Sequence, residues 1–241
     1  MTTIDPAEID KFARLADAWW DPKGAFAPLH RMNPVRLAFL RERILAHFGR
    51  DGAGRRPLAG LSLIDLGCGG GLVTEPMTRL GAQVTGLDGA EESIRAASAH
   101  AAAMGLDIDY RVGSAESFGP AAFDIVLALE IVEHVADIHA FCDAAAALLK
   151  PGGLMIVSTI NRTLAARALA ITAAERLLRW VPHGTHDYAK LVTPEELRGA
   201  LHALDVEGPF GMSFNPLDGR WRMSGDASMN YFMTGAKRAR S

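Results

Sequence analysis

Two short stretches hold residues able to do chemistry. One is Asp65-Leu66-Gly67-Cys68-Gly69-Gly70-Gly71, and the other is Glu130-Ile131-Val132-Glu133-His134. In the first, an acid and three alternate glycines close the apolar run 61–66. Glycines there admit a backbone approach that a Cβ forbids. The dinucleotide fingerprint needs a third glycine where Leu72 stands, and a phosphate loop needs a Lys-Ser or Lys-Thr that does not follow. An acid two residues before the first glycine suits a cationic amine better than a pyrophosphate. In the second stretch, one helical turn would bring Glu130, Glu133 and His134 (i, i+3, i+4) onto one face. Such a cluster binds Mg²⁺, Mn²⁺ or Zn²⁺. Alternatively Glu133 is a helix-start acid and His134 a packing residue or general base. Spacing alone does not choose.

The elements that must hold these residues follow from residue patterns. Asp5-Pro6-Ala7-Glu8 opens a helix, with Asp as cap and Pro in the first turn. Ile9, Phe12, Ala13 and Ala16 recur at helical spacing, up to a turn at Asp21-Pro22. Pro28 and Pro34 predict a loop, with a second helix from Asn33 to about Phe48 and a linker over 49–57. Strands are expected over 61–66, 83–88, 108–112, 123–129 and 154–159, with helices over 72–80, 91–104 and 138–149. A helical insert over 161–190 then breaks the rhythm. Thr193-Pro194-Glu195-Glu196 opens another helix. Strands near 206–212 and 230–235 finish the sheet, joined through 214–228 by a hairpin-like connection or lid.

The expected fold is α/β: a doubly wound, mostly parallel, seven-stranded Rossmann-like sheet with N-terminal helices and a helical insert after strand 5. Residues 1–57 are expected to form a helical cap and linker, and 58–241 the cofactor-binding domain. Ligands in such sheets lie at the carboxyl ends of the strands, where the polar residues of interest fall.

At 241 residues the chain suits one domain with elaborations, and 49% hydrophobic with 22% charged content reads as soluble and globular. A net charge of −3 gives no support for nucleic-acid binding. Cys68 and Cys142 offer neither a disulfide framework nor a C-x-x-C site, so a reducing, cytoplasmic compartment is expected. The first residues lack the basic and apolar regions of a secretion signal, and no apolar run reaches the ~20 residues of a spanning helix.

Asp65, Gly67, Gly69 and Gly71 together resemble motif I of S-adenosylmethionine-dependent methyltransferases. Asp88 ends the second strand, where an acid accepts ribose hydroxyls or else caps the following helix. Glu116 resembles the family's adenine-edge position and reads equally as a solvated loop acid. Leu129, ending the fourth strand, presents apolar surface to an adenosyl group or simply fills the core.

The resemblance becomes specific over nearly the whole chain. It is carried by Trp19-Trp20-Asp21, Pro28-Leu29-His30-Arg31-x-Asn33-Pro34-x-Arg36, Thr85-Gly86-Leu87-Asp88, Glu130-x-x-Glu133-His134-Val135, Lys150-Pro151-Gly152-Gly153, Ser158-Thr159-x-Asn161-Arg162, Gly184-Thr185-His186-Asp187 and Asn230-Tyr231. These segments are similar to the ubiquinone-biosynthesis O-methyltransferase family. The resemblance implies O-methylation of a polyprenyl catechol and of a later demethylubiquinol, with S-adenosylmethionine as donor. It implies that Arg36 meets the methionyl carboxylate, with Gly67, Asp88 and Leu129 as further contacts. It also implies a divalent cation, Mg²⁺ first, on Glu130, Glu133 and His134.

The chemistry expected is then simple. A sulfonium methyl is already activated, so the protein must align a phenolic oxygen and remove its proton. A phenol with pKa near ~10 leaves little phenolate at neutral pH. His134 as base or as cation ligand, with Glu133 beside it, would supply more. His186 and Asp187 suit a lid or a capped turn. Leu169, Ile171, Leu177, Leu178 and Trp180, interleaved with Arg167, Arg176 and Arg179, suit an interfacial helix or one packed over the site. Peripheral contact with the inner face of the membrane, and with other quinone-synthesis enzymes, is the corresponding expectation.

Overall fold

The computed structural model describes residues 3, 6–164, 166, 190–215 and 218–239. Most of the expected insert, with Leu169 to Val181, His186 and Asp187, therefore lies outside the described residues. The strands are β1 (Ser62–Leu66), β2 (Gln83–Asp88), β3 (Asp109–Val112), β4 (Phe123–Leu129), β5 (Leu149–Ile160), β6 (Asp205–Asn215), β7 (Arg220–Ser224) and β8 (Asn230–Ala236). The described helices are α1 (Pro6–Ala13), α2 (Ala27–His47), α3 (Thr74–Arg79), α4 (Glu91–Ala103), α5 (Ile138–Leu148) and α6 (Pro194–Ala200). A 3₁₀ turn at Ala16–Ala18 lies between the first two helices, and another spans Val132–His134.

The strands form one sheet in the order β3-β2-β1-β4-β5-β8-β6-β7. β1 pairs in parallel with both β2 and β4, so the winding reverses between β1 and β4. Their carboxyl ends make the crevice where such sheets bind ligands. β8 runs antiparallel to β5 and β6. The expected seven strands become eight. Residues 214–228 include β7, which pairs antiparallel with β6 as a hairpin from Gly211↔Ser224 to Asn215↔Arg220. The exposed Arg220 and Arg222 hid it, because a strand at the sheet edge need not be apolar.

The loop predicted from Pro28 and Pro34 is also corrected. α2 begins at Ala27 and runs through both prolines. Pro28 lies in the first turn, where a missing N–H costs nothing. Pro34 gives up one internal bond. Burial of Met32, Phe39, Leu40, Ile44 and Leu45 against the sheet offsets that loss.

Two cores sandwich the sheet, and the period of two along each strand sorts residues between them. Leu63, Ile125, Leu127, Leu129 and Ile156 face α2 and α3, with Met77 and Phe232. Ile64, Leu66, Val126, Ala128 and Val157 face α5 and α6, with Phe141, Leu197 and Tyr231. By the same alternation Asp65 points to the α2 side, where an apolar residue would otherwise belong.

Candidate active site

Asp65 is buried at 3% exposure and accepts a hydrogen bond from Thr74 Oγ1 at 2.8 Å. Burial is the main force on its carboxyl and pushes its pKa up to about 6, against the pull of Thr74 and Arg36. Arg36 comes from α2 and is 4% exposed. Its Nε and Nη2 donate to Asn33 Oδ1 at 3.1 and 2.9 Å. Asn33 Nδ2 in turn donates to the Leu72 carbonyl at 2.8 Å, which ties α2 to the end of the glycine turn. Burial lowers the Arg36 pKa, and the charges of Glu130 and Asp65 hold it back up. A buried guanidinium therefore sits beside two carboxylates at the switch point. This donor set fits the carboxylate and ammonium of a zwitterionic amino-acid group.

Gly67, Gly69 and Gly71 have φ of 70°, 53° and 89°, a region that favours glycine. The space their missing Cβ atoms leave is used by the protein itself. A Cβ on Gly67 would meet Ile131, on Gly69 the Trp19 indole, and on Gly71 the Tyr110 hydroxyl. Close approach is thus the reason for glycine here, but side chains make that approach. Asp88 braces the same turn: Oδ2 accepts from Gly69 N at 2.9 Å and Oδ1 from Ala90 N at 2.8 Å. The bond from Ala90 N is the helix cap that the sequence allows, and two of a carboxylate's roughly four acceptor sites are spent. Glu116 is exposed, and its Oε1 accepts from Thr3 N at 3.2 Å. Leu129 is 7% exposed and belongs to the core on the α2 side, at the end of β4.

The expected convergence of Glu130, Glu133 and His134 does not occur. Glu130 takes a positive φ of 54°, and the next residues form a 3₁₀ turn rather than an α-helical one. Glu130 Oε1 accepts from Ser158 Oγ at 2.7 Å, and Oε2 from Asn230 Nδ2 at 3.2 Å. Glu133 Oε2 accepts from Thr159 Oγ1 at 2.8 Å. Ser158 and Thr159 are successive residues of β5, so they point to opposite faces of the sheet. The two carboxylates are held apart accordingly, Glu130 on the Arg36 side and Glu133, 4% exposed, on the other. Among the described residues no three His, Cys, Asp or Glu side chains gather to hold a metal ion. His134 lies edge-on to Phe12, with ring centroids 5.3 Å apart.

Sequence reasoning gave no role to Thr74 or Tyr110, nor any reason for Ser158, Thr159 and Asn230 beyond resemblance. One signal for them was present, since Ser158 and Thr159 are polar residues ending an otherwise apolar strand and are fully buried.

Comparison with known proteins gives the family. A methyltransferase domain family matches residues 64–157. The chain is 55% identical over 240 residues to the ubiquinone biosynthesis O-methyltransferase of Caulobacter vibrioides, covering 98% of this chain and 95% of that one. The chain belongs to the ubiquinone biosynthesis O-methyltransferase family. The family member of Sinorhizobium medicae is 53% identical over 241 residues, with 98% and 97% covered. The fold of this O-methyltransferase is shared more widely. A magnesium protoporphyrin IX methyltransferase from Synechocystis, solved with bound SAH, superposes at TM-score 0.64 with 17% identity, covering 96% and 94% of the two chains. Membership of that family makes it an S-adenosylmethionine-dependent O-methyltransferase. No helix among its described residues is long and apolar enough to cross a membrane.

Proposed function

We propose that this enzyme transfers a methyl group from S-adenosylmethionine to a phenolic oxygen of prenylated catechol and demethylubiquinol intermediates. The observation that supports this most is the near-full-length identity to relatives of that name. The loop after β4 also touches the glycine corner through Ile131 and Gly67, so donor and acceptor regions adjoin. In this reading Arg36 pairs with the methionyl carboxylate, Asp65 and Glu130 face the ammonium, and Gly67, Gly69 and Gly71 shape the turn. Asp88 meets the ribose, and Glu116 and Leu129 flank the adenosyl group. S-adenosylmethionine supplies the activated methyl.

His134 takes the phenolic proton at an imidazole nitrogen, so that phenolate forms only in the aligned complex. Alignment itself contributes up to roughly 7–11 kcal/mol to such a bimolecular transfer. Glu133, anchored by Thr159, holds the 3₁₀ turn that presents His134. The divalent cation implied by resemblance does not fit Glu130, Glu133 and His134 as they are placed, and no step is assigned to it. Peripheral membrane contact through the segment 164–181 belongs to the same reading, since a prenyl tail partitions into lipid. A turnover assay tests the whole. A short-tailed prenyl catechol should be methylated at least about tenfold faster at equal low concentration than a tail-less phenol or a carboxylic acid. Equal rates on all three would point instead to another small phenol or acid as substrate.

The Asp65 carboxyl makes this reading pH-dependent. Its pKa is raised from an ordinary carboxylate value to about 6, so the folded cofactor-free protein binds the extra proton between about pH 4 and pH 6. Stability falls as pH rises through that window, by on the order of 3 kcal/mol once Asp65 is fully ionised. A donor ammonium repays the cost only when Asp65 is ionised. Affinity for S-adenosylhomocysteine, the demethylated product, should therefore drop by about tenfold per pH unit below pH 6. Asp65→Asn should remove one proton from that slope. Parallel slopes for both proteins, measured by titration calorimetry from pH 5 to 7.5, would place the ammonium elsewhere.

A further inference from the structure

The segment ahead of α2 makes contacts that the roles above leave unused. The Trp19 ring lies directly on Gly69 and Gly70, where a Cβ on either would collide with it. Its Nε1 donates to the buried Ser93 Oγ of α4 at 3.1 Å, and the ring stacks on Phe26 at 3.7 Å between centroids. Trp20 Nε1 donates to the Gly70 carbonyl at 2.9 Å. The Trp20 ring stacks on His100 of α4, with centroids 3.5 Å apart and planes within 6°. His100 Nδ1 lies 2.5 Å from Oε1 of Glu75, a fully buried carboxylate of α3 whose other oxygen accepts from Arg79 at 2.9 Å. Two neighbouring tryptophans thus bind the glycine turn to α3 and α4, the helices that follow β1 and β2.

A turn with three positive-φ glycines has little stiffness of its own, because glycine has more backbone freedom to lose than any other residue. A turn held in one shape beforehand does not charge its ordering to the ligand. We propose that Trp19 and Trp20, latched through His100 and Glu75, clamp the glycine turn in its donor-binding shape, as positioning residues for S-adenosylmethionine. The clamp rests on the reading of this corner as the donor site. It gives His100 and Glu75, on α4 and α3, a defined part in donor affinity. It also explains why an aromatic pair precedes α2: the first ring covers the turn and the second fastens it.

Trp20→Phe and His100→Ala in the full chain test it, with equilibrium dialysis of labelled S-adenosylhomocysteine and full kinetics. Trp20→Phe keeps an aromatic ring against His100 and loses the bond to Gly70. Its S-adenosylhomocysteine dissociation constant and its KM for donor should rise about five- to tenfold. The loss should fall on those quantities and not on kcat at saturating donor or on acceptor KM. His100→Ala should raise donor KM further, since both the stack and the latch are lost. If that variant fails to fold, Trp20→Phe alone decides. Wild-type donor affinity in Trp20→Phe would overturn the clamp, as would a parallel fall in kcat, acceptor KM and donor affinity. Failure of the wild-type chain itself to bind S-adenosylhomocysteine would overturn the donor assignment of the corner instead.

Discussion

Replacing Arg36 by alanine is expected to weaken S-adenosylhomocysteine binding by about 100-fold or more. The guanidinium is buried beside Asp65 and Glu130, two carboxylates whose pKa values burial already raises. Removing one partner from a buried charge cluster costs roughly 3–5 kcal/mol, because the other charges are left without compensation. That cost corresponds to roughly 150- to 4,000-fold in an equilibrium constant. Two effects would share it. In this reading the donor carboxylate loses the guanidinium assigned to it, and Asp65 and Glu130 take up protons, so the donor ammonium loses its counter-charges. Arg36→Lys separates them. An ammonium restores the charge but not the planar fork that reaches Asn33 through Nε and Nη2. The lysine variant should therefore recover thermal stability more than affinity. Dialysis and thermal melts on both variants check this, and donor affinity within a few-fold of wild type in Arg36→Ala would remove Arg36 from the binding site.

The second large effect is expected at His134. His134→Ala should lower kcat by about 10²–10⁴, the range for loss of a positioned general base. Donor affinity should be unchanged, since the glycine turn and Arg36 are untouched. The pH profile provides the sharper signature. Without a base, the rate follows the fraction of phenolate, so for an acceptor with pKa near ~10 it should rise about tenfold per pH unit from pH 7 to 9. Wild-type turnover should be flatter over the same span, because a positioned base removes the proton within the aligned complex. A variant that keeps wild-type kcat at pH 7 would show that the proton leaves by another route.

Much of the frame was readable from residue patterns, and the reason is local. β2 and β4 begin and end where alternation and turn residues placed them, because strand period and flanking glycines act within a few residues. The helix opened by Thr193-Pro194-Glu195-Glu196 likewise forms, and a capping box between Thr193 and Glu196 starts it. α2 was misjudged at its start, because a local rule about Pro34 was outweighed by burial against a sheet formed some 30 residues later. β7 escaped because an edge strand is defined by its partner and need not be apolar.

The site divides in the same way. Asp65, the glycines, Asp88 and the Glu130 to His134 stretch were singled out by type and spacing, and the fold does bring them to neighbouring strand ends. Spacing also suggested that Glu130, Glu133 and His134 share one face, and here it misled. Their directions depend on Ser158 and Thr159, whose opposite orientations follow from the pleat of β5, a strand placed beside β4 only by the finished sheet. Arg36 shows the same dependence. Packing of α2 across the sheet is what buries it beside Asp65 and Glu130. The chain's residues thus mark the glycine corner through short-range stereochemistry, chiefly the φ that glycine alone adopts freely. Which charges meet across that corner, and which side chains fill the glycine clefts, depends on contacts between elements tens of residues apart, whose geometry exists only once the sheet has closed around them.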